Sequence, residues 1–313
     1  MKHYDLIVIG GGCAGLATAI SAAENGVKDI LVLERERQLG GMLNLCIHVG
    51  YGETVFKDSL TGPEFSQRLI DMAESKSIAY KTNTTVLRVS KDKVVTTVSG
   101  DEGLVKFSAA AVLFATGCRE KPRGFISMSN FRFAGVYTIG TAQKLISQEG
   151  YMPGKAAIII GSDDRALHLA RRMTLEGAEI KAVIEKASKL KGSKTLIEDC
   201  QRCFNIPILN PYRVVNVQGK DRIEGVIIKS MRDDIVEKEL FIPCDTLLLS
   251  VRLCPDDSLF KALGFTIDSK KGITNAAGFF VCGNVVYFHN SADTIVQEAY
   301  KIGENIASYV KEH

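Results

Sequence analysis

Short apolar runs without polar alternation, each closed by glycine or a polar residue, set the rhythm of this chain. Leu6-Ile7-Val8-Ile9, Leu31-Val32-Leu33, Ala111-Val112-Leu113-Phe114-Ala115, Ala157-Ile158-Ile159-Ile160, Ala182-Val183-Ile184 and residues 245–250 are of this kind. Such runs predict strands covered on both faces, as in a parallel sheet. Residues 13–25, 167–175, 195–204 and 291–310 read as helices. The alternating segments around Val214, Ile227 and Val236 predict a meander. Gly278-Phe279-Phe280-Val281-Cys282-Gly283-Asn284 predicts a strand followed by a turn.

The first run leads into Gly10-x-Gly12-x-x-Gly15, and Glu34 closes the next strand. Glycines there allow a tight turn and close approach of backbone to a pyrophosphate. The helix that follows presents N–H groups to that anion. Glu34 is placed to accept hydrogen bonds from a ribose diol. This combination predicts an adenine dinucleotide at the N-terminal end of the chain. The same strand–turn–helix–strand order recurs from Ala156 to Glu185, an internal repeat of the architecture.

At 313 residues the chain has room for two domains with cores of their own. A hydrophobic content of 46% and a charged content of 24% fit an ordinary globular protein. A formal charge of +3 is too small to argue for nucleic acid or an anionic membrane. No apolar run is long enough to predict a membrane span. The first strand is expected at about Tyr4, which leaves no room for a signal peptide. The eight cysteines are scattered through apparent core strands and loops, so reduced thiols and a cytoplasmic setting are expected.

In this order, the pieces resemble the two-dinucleotide-domain flavoproteins, the pyridine nucleotide-disulfide oxidoreductase superfamily of thioredoxin-reductase size. The glycine motif with Glu34 looks like the FAD adenosine-diphosphate site. Ala115-Thr116-Gly117 looks like the point where the chain leaves the FAD domain. Phe280-Val281-Cys282-Gly283-Asn284 looks like the second FAD motif, where a carboxylate usually contacts the ribityl chain; here the residue is Asn284. The resemblance implies an α/β fold of two Rossmann-like domains, the second inserted into the first. The domains are then residues 1–117 and 251–313 for FAD, and 118–250 for NAD(P), with crossings near 117–121 and 250–255. It assigns the FAD site to Gly10, Gly12, Cys13, Ala14, Gly15, Glu34, Arg35, Gly41, Met42, Thr85, Val86, Ala115, Thr116, Gly117, Gly283, Asn284, Thr294 and Ile295.

A narrower resemblance rests on Gly40-Gly41-Met42-Leu43-Asn44-Leu45-Cys46-Ile47-His48, Leu60-Thr61-Gly62-Pro63-Glu64, Thr116-Gly117-Cys118-Arg119-Glu120, Gly135–Gln143 and Cys282-Gly283-Asn284-Val285. These segments look like the oxidoreductases that accompany a glycerol-3-phosphate dehydrogenase-type flavoprotein and a small cysteine-containing protein. Related subunits occur in opine, sarcosine and cyanide-forming dehydrogenases. This resemblance implies an electron-transfer subunit with a partner flavoprotein and a small electron carrier; a homodimer is the other assembly considered.

The second turn departs from the pattern. It reads Gly161-Ser162-Asp163-Asp164-Arg165-Ala166, with Asp163 where the central glycine belongs. Two carboxylates at a helix start cap its N–H groups themselves. They also repel a pyrophosphate, at a cost of ~1 kcal/mol or more for each close like-charge contact. Arg165 offsets part of this. Arg252 stands where the family usually has glycine. The nucleotide site at Gly161, Ser162, Asp163 and Glu185 therefore reads as impaired. Glu185 suits the free ribose hydroxyl of NAD(H), or is a solvated strand-end charge; both readings stand.

Thiol–disulfide reductases of this superfamily need two cysteines beside the flavin. Residues 117–154 contain only Cys118. Cys200-x-x-Cys203 has redox spacing but falls in a predicted helix interior, which favours packing. A disulfide reductase using that pair is the alternative function, as is a flavin-bearing assembly subunit without turnover. Cys46, by resemblance in the loop against the isoalloxazine, is a candidate thiol or a packing residue. His48 and His289 are candidate proton donors or acceptors near the flavin. No cluster has metal-ligand spacing.

Overall fold

A computed structural model of the chain describes residues 1–121, 134–232, 239–268, 273–289 and 291–313. They form two compact units, one made of Met1–Arg119 with Cys254–His313, the other of Glu120–Leu253. The α-helices among these residues are α1 (Cys13–Glu24), α2 (Gly62–Ser75), α3 (Ile139–Ser147), α4 (Asp164–Leu175), α5 (Lys194–Arg202), α6 (Ser258–Lys261) and α7 (Ala292–Glu312).

In the first unit, the strand Lys2–Ile9 lies parallel between Gly103–Phe114 and Ile30–Leu33. Phe279–Val281 extends the sheet on one side and Ala79–Lys81 on the other. Successive residues of the first strand feed opposite layers. Leu6 and Val8 pack with Leu16, Ile20, Val296 and Ile306 of α1 and α7. Ile7 and Ile9 pack with Val112, Phe114 and Phe279. Each such side chain contributes roughly 1.5–3 kcal/mol by leaving water, which is why the run shows no polar alternation. The strand starts at Lys2, ahead of the expected Tyr4, and the run 111–115 is the end of a longer strand.

In the second unit, Val136–Thr138, Thr246–Leu249, Ala156–Ile160, Glu179–Ile184 and Ile208–Leu209 form a parallel sheet in that order. Ile159, Leu167, Ala170 and Leu248 build its core beneath α4. Tyr212–Gly219, Ile223–Ser230 and Leu240–Pro243 make the antiparallel meander. Its expected third centre, Val236, lies outside the described residues. Two boundaries differ from expectation. Asp164 to Ala166 belong to the first turn of α4, because Asp163 caps that helix. Cys203 sits beyond the last turn of α5 as its C-cap and is exposed. No helix among the described residues is long and apolar enough to cross a membrane.

Helices α1 and α7 approach closely at Gly303. The Ser21 hydroxyl donates to the Tyr300 carbonyl at 2.6 Å. A Cβ at Gly303 would stand 2.5 Å from Ser21 Cβ and 2.7 Å from the Thr18 carbonyl oxygen. Gly303→Ala is expected to destabilise the protein by about 1–3 kcal/mol through overpacking. Thermal unfolding checks this; an unchanged midpoint would show that the helices part at no cost.

Candidate functional site

The first glycine turn is held from both sides. Gly10 has φ 108°, and its N–H donates to the Leu33 carbonyl at 2.9 Å. A Cβ there would meet the Ala115 carbonyl oxygen at 2.4 Å, and one at Gly15 would meet the Gly10 carbonyl oxygen at 2.0 Å. Close packing of strand and helix therefore accounts for Gly10 and Gly15. Gly12 is different. It is the N-cap of α1 with φ −78° and ψ −177°, no side chain caps the helix, and no acid stands in its first turn. A Cβ on Gly12 would meet only the Gly41 Cα, at 3.9 Å. Protein contacts do not require glycine at 12; the space and the open N–H groups suit a phosphate.

Glu34 is buried at the end of the second strand. One of its oxygens accepts the Gly11 N–H at 2.8 Å and the other the Glu36 N–H at 2.9 Å. A carboxylate accepts about four hydrogen bonds, so Glu34 keeps capacity for a ribose diol. Gly40 donates to the Gly11 carbonyl at 2.8 Å, which brings Gly41 against Gly12. Met42 is exposed. Arg35 pairs with Asp256 at 3.5 Å, and the Thr116 hydroxyl donates to the Asp256 carbonyl at 2.7 Å. Thr85 and Val86 lie in the strand Thr84–Val89. These residues fit an adenine dinucleotide.

Around the second FAD motif, the Asn284 carboxamide oxygen accepts the His289 N–H at 3.1 Å and lies 3.0 Å from its Nδ1. His289 Nε2 is 2.6 Å from Glu298, to which the Tyr287 hydroxyl also donates at 2.6 Å. The His289 side chain is only 2% exposed. Burial works against charge on Glu298, yet Tyr287 and His289 hold its carboxyl below the usual range. Gly283 has φ 78°, and a Cβ there would press Ala14 at 2.8 Å. Thr294 donates its N–H to the Ser291 cap of α7, and Ile295 is buried. Asp293 accepts three N–H groups, from Gly52, Thr54 and Val55. It pins that loop to the start of α7. Neither Asp293 nor Glu298 is marked by the sequence; both lie in a helix that otherwise reads as an amphipathic surface element.

Cys46 donates its thiol to the Met42 carbonyl at 3.4 Å. Burial pushes the Cys46 thiol up, partly offset by the Tyr51 hydroxyl. Tyr51 in turn meets His48 Nε2 at 3.3 Å. Its hydroxyl is held well above the usual phenol range, chiefly by burial and also by the neighbouring Cys46 and Cys13. Burial pushes the Cys13 thiol to about 12. Tyr51 is thus the link between two predicted residues, and nothing in the spacing of the sequence marks it.

The second turn copies the first in backbone and differs in side chains. Gly161 has φ 100° and donates to the Ile184 carbonyl at 2.8 Å. Asp163 caps α4 with φ −73° and ψ 166°, close to the conformation of Gly12. Its carboxylate accepts the Ala166 N–H at 3.0 Å, the Ser250 hydroxyl at 2.7 Å and the Arg165 guanidinium at 3.0 Å. Glu185 is 2% exposed, so the solvated strand-end reading is corrected. Its Oε1 accepts the Ala187 N–H at 3.0 Å, and its Oε2 accepts the Ser162 N–H at 3.2 Å and hydroxyl at 2.9 Å. Lys191 adds an ion pair to that oxygen at 3.4 Å.

Cys200 is buried, with its Sγ 3.7 Å from the Leu167 carbonyl oxygen, and burial raises its thiol to about 11. The exposed Cys203 thiol is also raised, first by its hydrogen bond to Asp199. α3 precedes the second turn without a cysteine, and residues 122–133 of that stretch lie outside the described residues. No group of His, Cys, Asp or Glu among the described residues could hold a metal ion.

A family model described as "Pyridine nucleotide-disulphide oxidoreductase" matches residues 4–303. The chain is similar to an opine oxidase subunit of Rhizobium meliloti, with 25% identity over 84% of this chain and 52% of that protein. It therefore spans about half the length of that relative. Thioredoxin reductase of Listeria monocytogenes is 23% identical over 99% of this chain and 95% of its own. Ferredoxin–NADP reductase 2 of Bacillus velezensis is 23% identical over 94% and 88%. The fold matches the crystal structure of Lactococcus lactis thioredoxin reductase with a TM-score of 0.79, at 18% identity over 99% of this chain and 100% of that one. Two glycine turns on parallel sheets, joined to a family match over nearly the whole chain, place this chain in the pyridine nucleotide-disulphide oxidoreductase family, whose members bind FAD and use NAD(P)H.

Proposed function

We propose that this protein is a flavin-dependent reductase that passes electrons from FAD directly to an external redox partner, with no dithiol of its own in the path. The carrying observation is the state of the Cys200–Cys203 pair. One thiol is buried, the other stands on the surface, and both are held above the ordinary range. A redox dithiol works through a thiolate, which needs the opposite shift. The names of the near-full-length relatives, thioredoxin reductase and ferredoxin–NADP reductase, favour a self-contained reductase over a component of a dehydrogenase complex.

In this reading Gly10, Gly12, Cys13, Ala14 and Gly15 receive the FAD pyrophosphate and Glu34 its ribose. Arg35, Thr85 and Val86 flank the adenosine, while Gly41, Met42, Ala115, Thr116, Gly117, Gly283, Asn284, Thr294 and Ile295 surround the rest. The flavin supplies the redox chemistry when bound, and the protein supplies binding and electrostatics. The Tyr51 hydroxyl links Cys46 and His48 by hydrogen bonds, whereas His289 fixes the Asn284 amide. The scattering of the cysteines, with Cys200, Cys244 and Cys282 buried in the cores, supports a cytoplasmic setting.

A second reading rests on the opine oxidase relative, which is named as one component of an oxidase and is longer than this chain. There the protein joins a partner flavoprotein dehydrogenase, of the glycerol-3-phosphate dehydrogenase type, and a small electron carrier. In the first reading the assembly is a homodimer.

The purified protein is expected to be yellow with noncovalent FAD. Gly12→Asp should weaken FAD at least about tenfold by setting a charge against the phosphate. A colourless wild type that cannot be reconstituted overturns the assignment. Cys200→Ser and Cys203→Ser should each keep electron transfer to ferricyanide and to DTNB within about twofold of wild type. Loss in both variants at normal FAD content would restore the dithiol reading. Because burial raises the Cys46 thiol, it is protonated at neutral pH, and its alkylation should accelerate only above the usual thiol range. Mass spectrometry after iodoacetamide pulses across pH checks this, and fast labelling of Cys46 at about pH 7 would contradict it.

A further inference from the structure

We propose that the second glycine turn excludes the dinucleotide its family uses, because Asp163 supplies the anion the turn would otherwise bind. The inference rests on the proposed function only for the presence of a flavin whose electrons need a source. The family implies a pyridine nucleotide at this turn, and the residues present do not fit one.

Two positions show the misfit. At the N-cap, Gly12 leaves the first turn of α1 uncapped and its side-chain direction open. Asp163 has nearly the same backbone conformation but puts a carboxylate on the Ala166 N–H. Burial opposes its charge, and the Ser250 hydroxyl, Arg165 and the Ala166 N–H outweigh that, holding the carboxyl below its usual range. It is therefore a fixed anion at neutral pH. Asp164 adds a second carboxylate in the first turn, accepting the Ser193 N–H at 2.7 Å. Arg165 is already engaged. Besides Asp163, it donates to the Val251 carbonyl at 3.1 Å and pairs with Glu120 at 3.7 Å. Glu120 itself accepts the Gly140 N–H at 3.0 Å in the first turn of α3.

The second position is the strand-end acid. Glu34 accepts two backbone N–H groups and keeps the rest of its capacity for a ribose. Glu185 receives Ala187, both donors of Ser162, and Lys191. Three of those donors crowd Oε2, and Oε1 holds the Ala187 N–H alone. A ribose diol that bridges both oxygens must displace a donor from Oε2, and a phosphate must displace Asp163. The flavin is then charged by a donor that does not seat on this turn.

ADP-ribose titration by calorimetry tests the exclusion without electron transfer, and FAD absorbance in the same samples reports separately on the flavin assignment. The FAD-loaded wild type should show no saturable ADP-ribose binding below about millimolar concentrations. Asp163→Gly should tighten binding at least about tenfold, and Asp163→Asn, which keeps the helix cap, by a smaller factor. NADH, titrated anaerobically, should follow the same order. Micromolar binding of ADP-ribose to the wild type overturns the proposal. So does an Asp163→Gly variant that keeps FAD and its thermal midpoint yet gains nothing. If that variant does not fold, Asp163→Asn decides by the same criterion.

Discussion

A buried carboxylate at the end of the second strand holds each glycine turn in shape, and the rest of both sites follows from it. Glu34 and Glu185 lie in the apolar ends of parallel sheets. A charge there is costly unless hydrogen bonds replace its water. In each unit two donors come from backbone: Gly11 and Glu36 for Glu34, Ser162 and Ala187 for Glu185. Each acid thereby fixes the residue after the first glycine and the chain two residues beyond itself. A neutral or shorter side chain would leave those N–H groups unpaired inside the fold. The acid is thus a structural strut first, and a ligand for ribose only with what capacity remains.

That order of roles explains how two turns of the same backbone diverge. The helix start offers N–H groups and a partial positive charge to any anion within reach. With glycine as N-cap, the protein has nothing to place there, and an external phosphate is the natural partner. With aspartate, the partner is part of the chain at an effective concentration no soluble ligand can match. Arg165 and Ser250 then stabilise the internal anion. Burial opposes the charge that aspartate brings, and the helix cap, Ser250 and Arg165 outweigh that cost. Binding capacity and local stability are therefore opposed at this one position.

The architecture was legible because it rests on burial. The unbroken runs at Leu6–Ile9 and Ala157–Ile160 signal strands covered on both faces, and the glycines between strand and helix mark where backbones touch. Asp163 was legible for the same reason, since a side chain at a cap position has a predictable partner. What the sequence hid depends on distant parts of the chain. Ser250 reaches Asp163 from the end of another strand. Asp293 binds Gly52, Thr54 and Val55 across most of the sequence. A solvated Glu185 is a natural reading of the sequence because its third and fourth donors, the Ser162 hydroxyl and Lys191, carry no motif. Cys203 falls outside its helix because α5 ends a residue before it, a boundary that propensity does not resolve.

The second FAD motif shows how a missing charge is moved. The family pattern places a carboxylate at 284, and this chain has an amide. The amide oxygen must accept the His289 backbone N–H, which fixes its orientation and turns the same oxygen toward Nδ1. Nε2 faces the ionised Glu298. Each ring nitrogen thus faces an oxygen, that of Asn284 on one side and that of Glu298 on the other. The negative charge has moved from position 284 to Glu298, one histidine further from the motif, with Tyr287 as a second donor to it. Asn284 then presents its NH2 group, a donor where the family pattern presents an acceptor. A ribityl hydroxyl held there would accept a hydrogen bond instead of giving one, an exchange open to a hydroxyl because it does both. The exchange at position 284 thus keeps a polar anchor in the turn while the carboxylate sits in α7, held by His289 and Tyr287.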